Sequence, residues 1–138
     1  MRRVLGLDLG SRTCGVAVSD PLGMIARTVE TIRFEEDDYE TACTKVLEFV
    51  KELEVTEIVL GLPKHMNGDI GIRGNISVEF KAMLEEKCSC PVTLWDERLT
   101  TVAAQKILIS ANVSRKKRKA VIDQMAAVQI LQGYLDRK

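Results

Sequence analysis

Val4-Leu5-Gly6-Leu7-Asp8-Leu9-Gly10-Ser11-Arg12-Thr13-Cys14-Gly15-Val16-Ala17-Val18-Ser19 is the stretch that decides the fold class. It holds two short, mostly apolar runs, residues 3–9 and 13–19, parted by Gly10-Ser11 and closed by Asp20-Pro21. A third run, residues 25–32, is β-branched and Thr-rich. Three short runs with tight turns between them predict an antiparallel meander. The period then changes. Over residues 38–53, Ala42, Val46, Phe49, Val50 and Leu53 share one helical face, with acidic residues at the N-terminal end where the helix dipole favours them. Residues 57–60 read as a buried strand stopped by Gly61-Leu62-Pro63, and a loop with Gly68, Gly71 and Gly74 follows. A second helix is expected from about Asn75 (Ile76, Phe80, Met83, Leu84), a strand over 91–95, a third helix from about Thr100 (Val102, Ala103, Ile107, Leu108) and a last helix over 116–135. The order β-β-β-α-β-α-β-α-α predicts an α/β domain spanning 1–138. Its mixed five-stranded sheet has the first three strands antiparallel, the later two joined by right-handed crossovers, and helices on both faces.

Composition narrows the function. The chain has 138 residues, 46% hydrophobic and 29% charged, enough for a core without staples. No apolar stretch approaches the roughly 18 residues of a membrane span, and Asp8 breaks any signal-peptide core. The expected compartment is the cytoplasm, with no membrane partner. Aromatic residues are 4%, too few for a base-stacking platform. Cys14, Cys43, Cys88 and Cys90 are scattered and read as reduced thiols. Acidic and basic residues balance at 20 each, yet Arg115-Lys116-Lys117-Arg118-Lys119 concentrates five cations. Such a run is either a candidate phosphate contact or a solvated face.

Three carboxylates stand out. Asp8 lies in a strand otherwise of Val, Leu and Gly, so it must meet solvent, a cation or a turn it caps. Gly6 and Gly10 flank it two residues away and leave room for something to approach. Asp96-Glu97-Arg98 follows the fifth strand, at the carboxyl end where ligands collect in parallel sheets. Asp96 and Glu97 point to opposite faces, so one alone faces Asp8; an ion pair with Arg98 is the plainer use. Asp123 stands at helical spacing from Ala126, Ala127 and Ile130, or pairs with Lys119. Together the three form an all-oxygen, strongly negative site suited to Mg²⁺ or Mn²⁺. With one histidine, His65, there is no plausible Ser-His-Asp set, and there is no P-loop Gly-Lys-Ser/Thr.

Gly6-Leu7-Asp8-Leu9-Gly10-Ser11-Arg12-Thr13 with Gly15-Val16-Ala17-Val18-Ser19-Asp20 resembles the opening motif of the YqgF/RuvX family. The resemblance continues, in the family's order, through Gly61-Leu62-Pro63-Lys64 with Asn67-Gly68 and Gly71, then Asp96-Glu97-Arg98-Leu99-Thr100-Thr101, then Asp123-Gln124-Met125-Ala126-Ala127 with Ile130-Leu131-Gln132. It implies an RNase H-like fold with strand order 3-2-1-4-5, similar to Holliday junction resolvases. It implies that Asp8, Glu97 and Asp123 are the catalytic, metal-binding carboxylates, holding one or two Mg²⁺ or Mn²⁺ ions. The fourth acid that some resolvases carry one turn later has no counterpart, positions 126 and 127 being Ala.

The expected function is a metal-dependent nuclease acting on structured RNA, through maturation of the 5′ end of pre-16S ribosomal RNA. Its partners are then that RNA and the small-subunit precursor, with the protein a monomer or homodimer. Lys64, Arg73, Arg98, Arg115, Lys116, Lys117, Arg118 and Lys119 are the candidate nucleic-acid contacts, and Gly68, Gly71 and Gly74 a candidate phosphate loop. The alternatives are a resolvase of DNA junctions, which needs two active sites and hence a dimer, and a non-catalytic nucleic-acid binder. Half of an actin-like ATPase is a weaker fit, because that fold needs two lobes.

Overall fold

The computed structural model describes residues 3–63, 71–97 and 115–137, with backbone alone for 115–124. Lys64, Gly68, Arg98 and the helix expected from Thr100 lie outside the described residues. The described elements are β1 (Val4–Leu9), β2 (Thr13–Ser19), β3 (Ala26–Arg33), α1 (Tyr39–Glu52), β4 (Glu57–Leu62), α2 (Gly71–Lys87), β5 (Val92–Asp96) and α3 (Arg115–Asp136). The strands form one sheet in the order β3-β2-β1-β4-β5. β1, β2 and β3 pair antiparallel, while β1–β4 and β4–β5 pair parallel. This is the mixed five-stranded sheet that the element order predicts, with the strand order that the family resemblance implies.

β1 is buried at all six positions, which is why it reads as an apolar run rather than an alternation. Each of its faces has its own cover. Leu5, Leu7 and Leu9 pack with Ala42, Cys43 and Val46 of α1 and with Phe80 and Leu84 of α2. On the other face Val4, Ala17 and Val59 meet Ala126, Ala127, Ile130, Leu131 and Tyr134 of α3. The Asp38 carboxylate caps α1, accepting from the Thr41 amide at 3.3 Å and hydroxyl at 2.7 Å, a contact worth about 1 kcal/mol. All four cysteines are unbridged; burial pushes the Cys43 and Cys90 thiols up.

Two sequence expectations are corrected. α2 begins at Gly71, not Asn75, so Gly71 and Gly74 belong to its first turn and not to a loop. Each glycine costs a helix about 1 kcal/mol, which is why the segment reads as loop. Packing overrides that preference: Gly74 and Ser77 are buried, and Gly71, at φ 58°, supplies the turn into the helix. The space beside Gly6 is also not open to a ligand. A Cβ there would stand 2.6 Å from Leu131 Cβ and 3.1 Å from the Ala127 carbonyl oxygen, so the missing side chain is what seats α3 on the sheet.

Candidate active site

α3 runs antiparallel to β1. Its Tyr134 hydroxyl donates to Glu57 Oε2 at 2.7 Å, at the start of β4 beside Val4, while Ala127 and Leu131 sit over Gly6. Trp95 stacks edge-on against Tyr134, with ring centroids 5.8 Å apart. One helical turn before Ala127 stands Asp123. A turn of about 5.4 Å nearly matches the two strand residues, about 6.6 Å, from Gly6 to Asp8, so the Asp123 backbone is level with Asp8. The Asp123 side chain lies outside the described residues.

Register sets the surroundings of Asp8. Gly15 of β2 is its direct partner, and Thr31 of β3 is the partner of Gly15. On the other side, the pair Leu7–Leu60 brings Asp8 level with Gly61 one step on, and Gly61 pairs with Trp95. The Asp8 carboxylate, 9% exposed, therefore rises from the α3 face between two glycines. Glu97 follows β5 and carries its carboxyl carbon to 3.5 Å from where a Gly61 Cβ would stand, on the same face. Leu94 packs toward α1 and α2, Trp95 toward α3. Alternation assigns Asp96 to the side of Leu94 and leaves Glu97 as the acid on the side of Asp8.

The oxygen-only donor set fits a hard divalent cation. Among the described residues no three His, Cys, Asp or Glu side chains meet as ligands, and Asp8 and Glu97 are the two predicted acids whose side chains are described.

Arg73, in the first turn of α2, is exposed and reaches the end of β1, donating to the Leu9 carbonyl at 3.2 Å and to the Tyr39 hydroxyl at 3.4 Å. Tyr39 in turn donates to Asp37 Oδ1 at 2.9 Å, and burial raises its phenol above the usual range. Asp37 holds a left-handed φ of 61°, and its amide donates to the Ser11 carbonyl. Sequence reasoning picked out Arg73 but not Tyr39, because nothing local links positions 39 and 73. Residues 115–119 form the opening turns of α3; their side chains, with Lys64, Gly68 and Arg98, are outside the described residues.

The five-stranded sheet with acids at the carboxyl ends of its strands defines the class, a fold shared with RuvC resolvases. RuvC of Thermus thermophilus in complex with a Holliday junction substrate superposes with a TM-score of 0.61 at 12% identity, over 97% of this chain and 94% of that one. A second structure of T. thermophilus RuvC gives 0.58 at 11% identity, over 96% and 93%. Residues 2–137 match the family described as "RuvX: Holliday junction resolvase", and the chain belongs to the RuvX family. A protein of Bacillus licheniformis is 55% identical over 134 residues, 97% of this chain and 96% of its own length. One of Geobacillus is 57% identical over 136 residues, 99% of each. One of Bacillus subtilis is 54% identical over 134 residues, 97% of each. All three carry the name "Putative pre-16S rRNA nuclease".

Proposed function

We propose that this protein is a metal-dependent nuclease that hydrolyses phosphodiester bonds of structured RNA, at the 5′ end of pre-16S ribosomal RNA. The observation that carries the reading is the placement of Asp8 and Glu97 on one face at the carboxyl ends of the strands, and the name shared by relatives at 54–57% identity supports it. Asp8, Glu97 and Asp123 would hold one or two Mg²⁺ or Mn²⁺ ions, and the chemistry these would supply is Lewis acidity toward the phosphate and easier deprotonation of the attacking water. The protein contributes orientation: Asp8 is fixed by a strand buried at every position, Glu97 by the end of β5, and Asp123 by the helix seated on Gly6. Lys64, Arg73, Arg98 and residues 115–119 contact the phosphate backbone, and Gly68 with the first turn of α2 offers amide donors to a phosphate. The protein works in the cytoplasm, where its RNA is made.

The family description favours a second reading, resolution of DNA four-way junctions. Incubation with pre-16S transcript and with four-way junctions, each with Mg²⁺, Mn²⁺ or EDTA, separates the two. The RNA reading expects cation-dependent cleavage of the transcript. Cleavage of the junction alone, by a protein whose solution mass is that of a dimer, selects the resolvase. Cleavage that survives EDTA overturns the metal-dependent site, and binding without cleavage leaves a nucleic-acid binder.

A further inference from the structure

Four hydrogen bonds close a ring around the chain that follows Asp8. Arg73, in the first turn of α2, donates from Nη2 to the Leu9 carbonyl at 3.2 Å and from Nη1 to the Tyr39 hydroxyl at 3.4 Å. The Tyr39 hydroxyl donates to Asp37 Oδ1 at 2.9 Å, and the Asp37 amide donates to the Ser11 carbonyl at 2.8 Å. The tyrosine ring has little freedom. Phe34 and Phe80 pack edge-on against it, with centroids 6.0 and 6.5 Å away, and Tyr39 opens α1 directly after the Asp38 cap. Asp37 is fixed as well, at a left-handed φ of 61°. Arg73 differs from both: it is exposed, and it commits two of its five N–H donors to described residues. Its guanidinium stops at the hydroxyl, one hydrogen bond short of the Asp37 carboxylate.

We propose that Tyr39 is a positioning residue for substrate binding: its hydroxyl holds the Arg73 guanidinium at the carboxyl end of β1 and apart from the Asp37 carboxylate, so that the remaining donors take a substrate phosphate. The inference rests on the reading of Arg73 as a phosphate-backbone contact above. Chemistry supports it. A guanidinium paired with a carboxylate is neutralised and spends two donors on the pair, whereas a phenol accepts one hydrogen bond and leaves the positive charge intact. Because the same hydroxyl donates to Asp37, the acid is satisfied without the arginine. Position supports it as well. Leu9 directly follows Asp8, and its carbonyl anchors Arg73 at the strand end that bears Asp8. A cation already held there loses less side-chain freedom on meeting a phosphate than an unanchored arginine would. Tyr39 touches no substrate in this arrangement; it acts through Arg73.

The test uses the full chain with pre-16S transcript, and a four-way DNA junction as second probe. Binding is read by fluorescence anisotropy in EDTA over a range of KCl, and cleavage in Mg²⁺ gives kcat and KM. Tyr39→Phe keeps the ring and the net charge. It is expected to weaken binding about fivefold, within the range of one net hydrogen bond, and to lower the log–log salt slope by up to roughly 0.7. KM should rise with kcat unchanged. In the Arg73→Ala background Tyr39→Phe should have no further effect. Asp37→Asn, which a left-handed φ tolerates, should restore binding to the Tyr39→Phe variant more than it helps wild type. A purely structural tyrosine predicts a different pattern: lost stability in urea, a lower kcat from a displaced Asp8, an unchanged salt slope and effects that add to those of Arg73→Ala. That pattern overturns the proposal, as does wild-type binding by Tyr39→Phe or no gain from Asp37→Asn. If wild type binds but cuts nothing, the nuclease reading fails while the salt slope and the double variants still decide the role of Tyr39. If wild type binds neither probe, both fall.

Discussion

The carboxyl carbon of Glu97 lies 3.5 Å from the point that a Cβ on Gly61 would occupy, and Gly61 is level with Asp8 on the neighbouring strand. The two carboxylates thus flank Gly61, whose missing side chain makes room for the tip of Ile130 beside Glu97. Gly61→Ala would bring a methyl group to 2.5 Å from Ile130 Cδ1 and against Glu97. The Ile130 tip can turn aside, so the expected stability loss is about 1 kcal/mol, with a fall in cleavage out of proportion to it. Gly6→Ala meets Leu131 Cβ and the Ala127 backbone, which cannot turn aside, and should cost about 3 kcal/mol. Urea unfolding of both variants checks the ranking; equal losses would show that α3 is not seated as described.

Asp8→Asn keeps the shape of the side chain and removes its charge. Cleavage should drop to background while RNA binding stays intact or tightens slightly, because one repulsive charge is gone. The metal-free variant should melt at a higher temperature than wild type, since repulsion with the other acids is relieved. Wild-type cleavage by this variant would refute the site.

The five cations of residues 115–119 open α3, at the end where the helix dipole already favours anions. Replacing all five by Ser should weaken binding and reduce the log–log salt slope by roughly 0.7 for each single-stranded phosphate that the variant no longer neutralises. The free variant should be no less stable than wild type, because like charges at a positive helix end are removed. An unchanged salt slope would reduce the run to a solvated surface.

The Asp20 carboxylate is held below its usual range, first by the Ile25 amide and then by that of Met24. A depressed folded-state pKa stabilises the protein above the unfolded value of about 3.9, and that contribution is lost as pH falls through the folded value. Asp136, tied through Gln132 to the turn at Met24, is the other carboxylate in its network. Protection of the Met24 and Ile25 amides from hydrogen exchange should therefore hold above about pH 4 and fade below it, and Asp20→Asn should weaken it at every pH. Protection that persists unchanged in strong acid would remove Asp20 as the clasp.

Strand and helix order was legible in the sequence because it rests on local periods: alternation and short apolar runs for β1 to β5, 3.6-residue spacing for α1 and α3. Right-handed crossovers then made the later strands parallel to β1, while the strand order 3-2-1-4-5 came from the family resemblance. The choice of Glu97 over Asp96 was half legible, since alternation says that one of them faces Asp8 but not which. Tertiary structure decided the rest. That Gly15 and Gly61 flank Asp8, that Gly6 receives α3 and not a ligand, that α2 starts four residues early on two glycines, that Tyr39 braces Arg73 and that Gln132 clasps the turn at Met24 all depend on residues 7 to 125 positions apart in the chain. Local pattern records which face a residue takes. Only register and packing bring a particular partner to it, and a partner's absent side chain shapes a site as firmly as a present one.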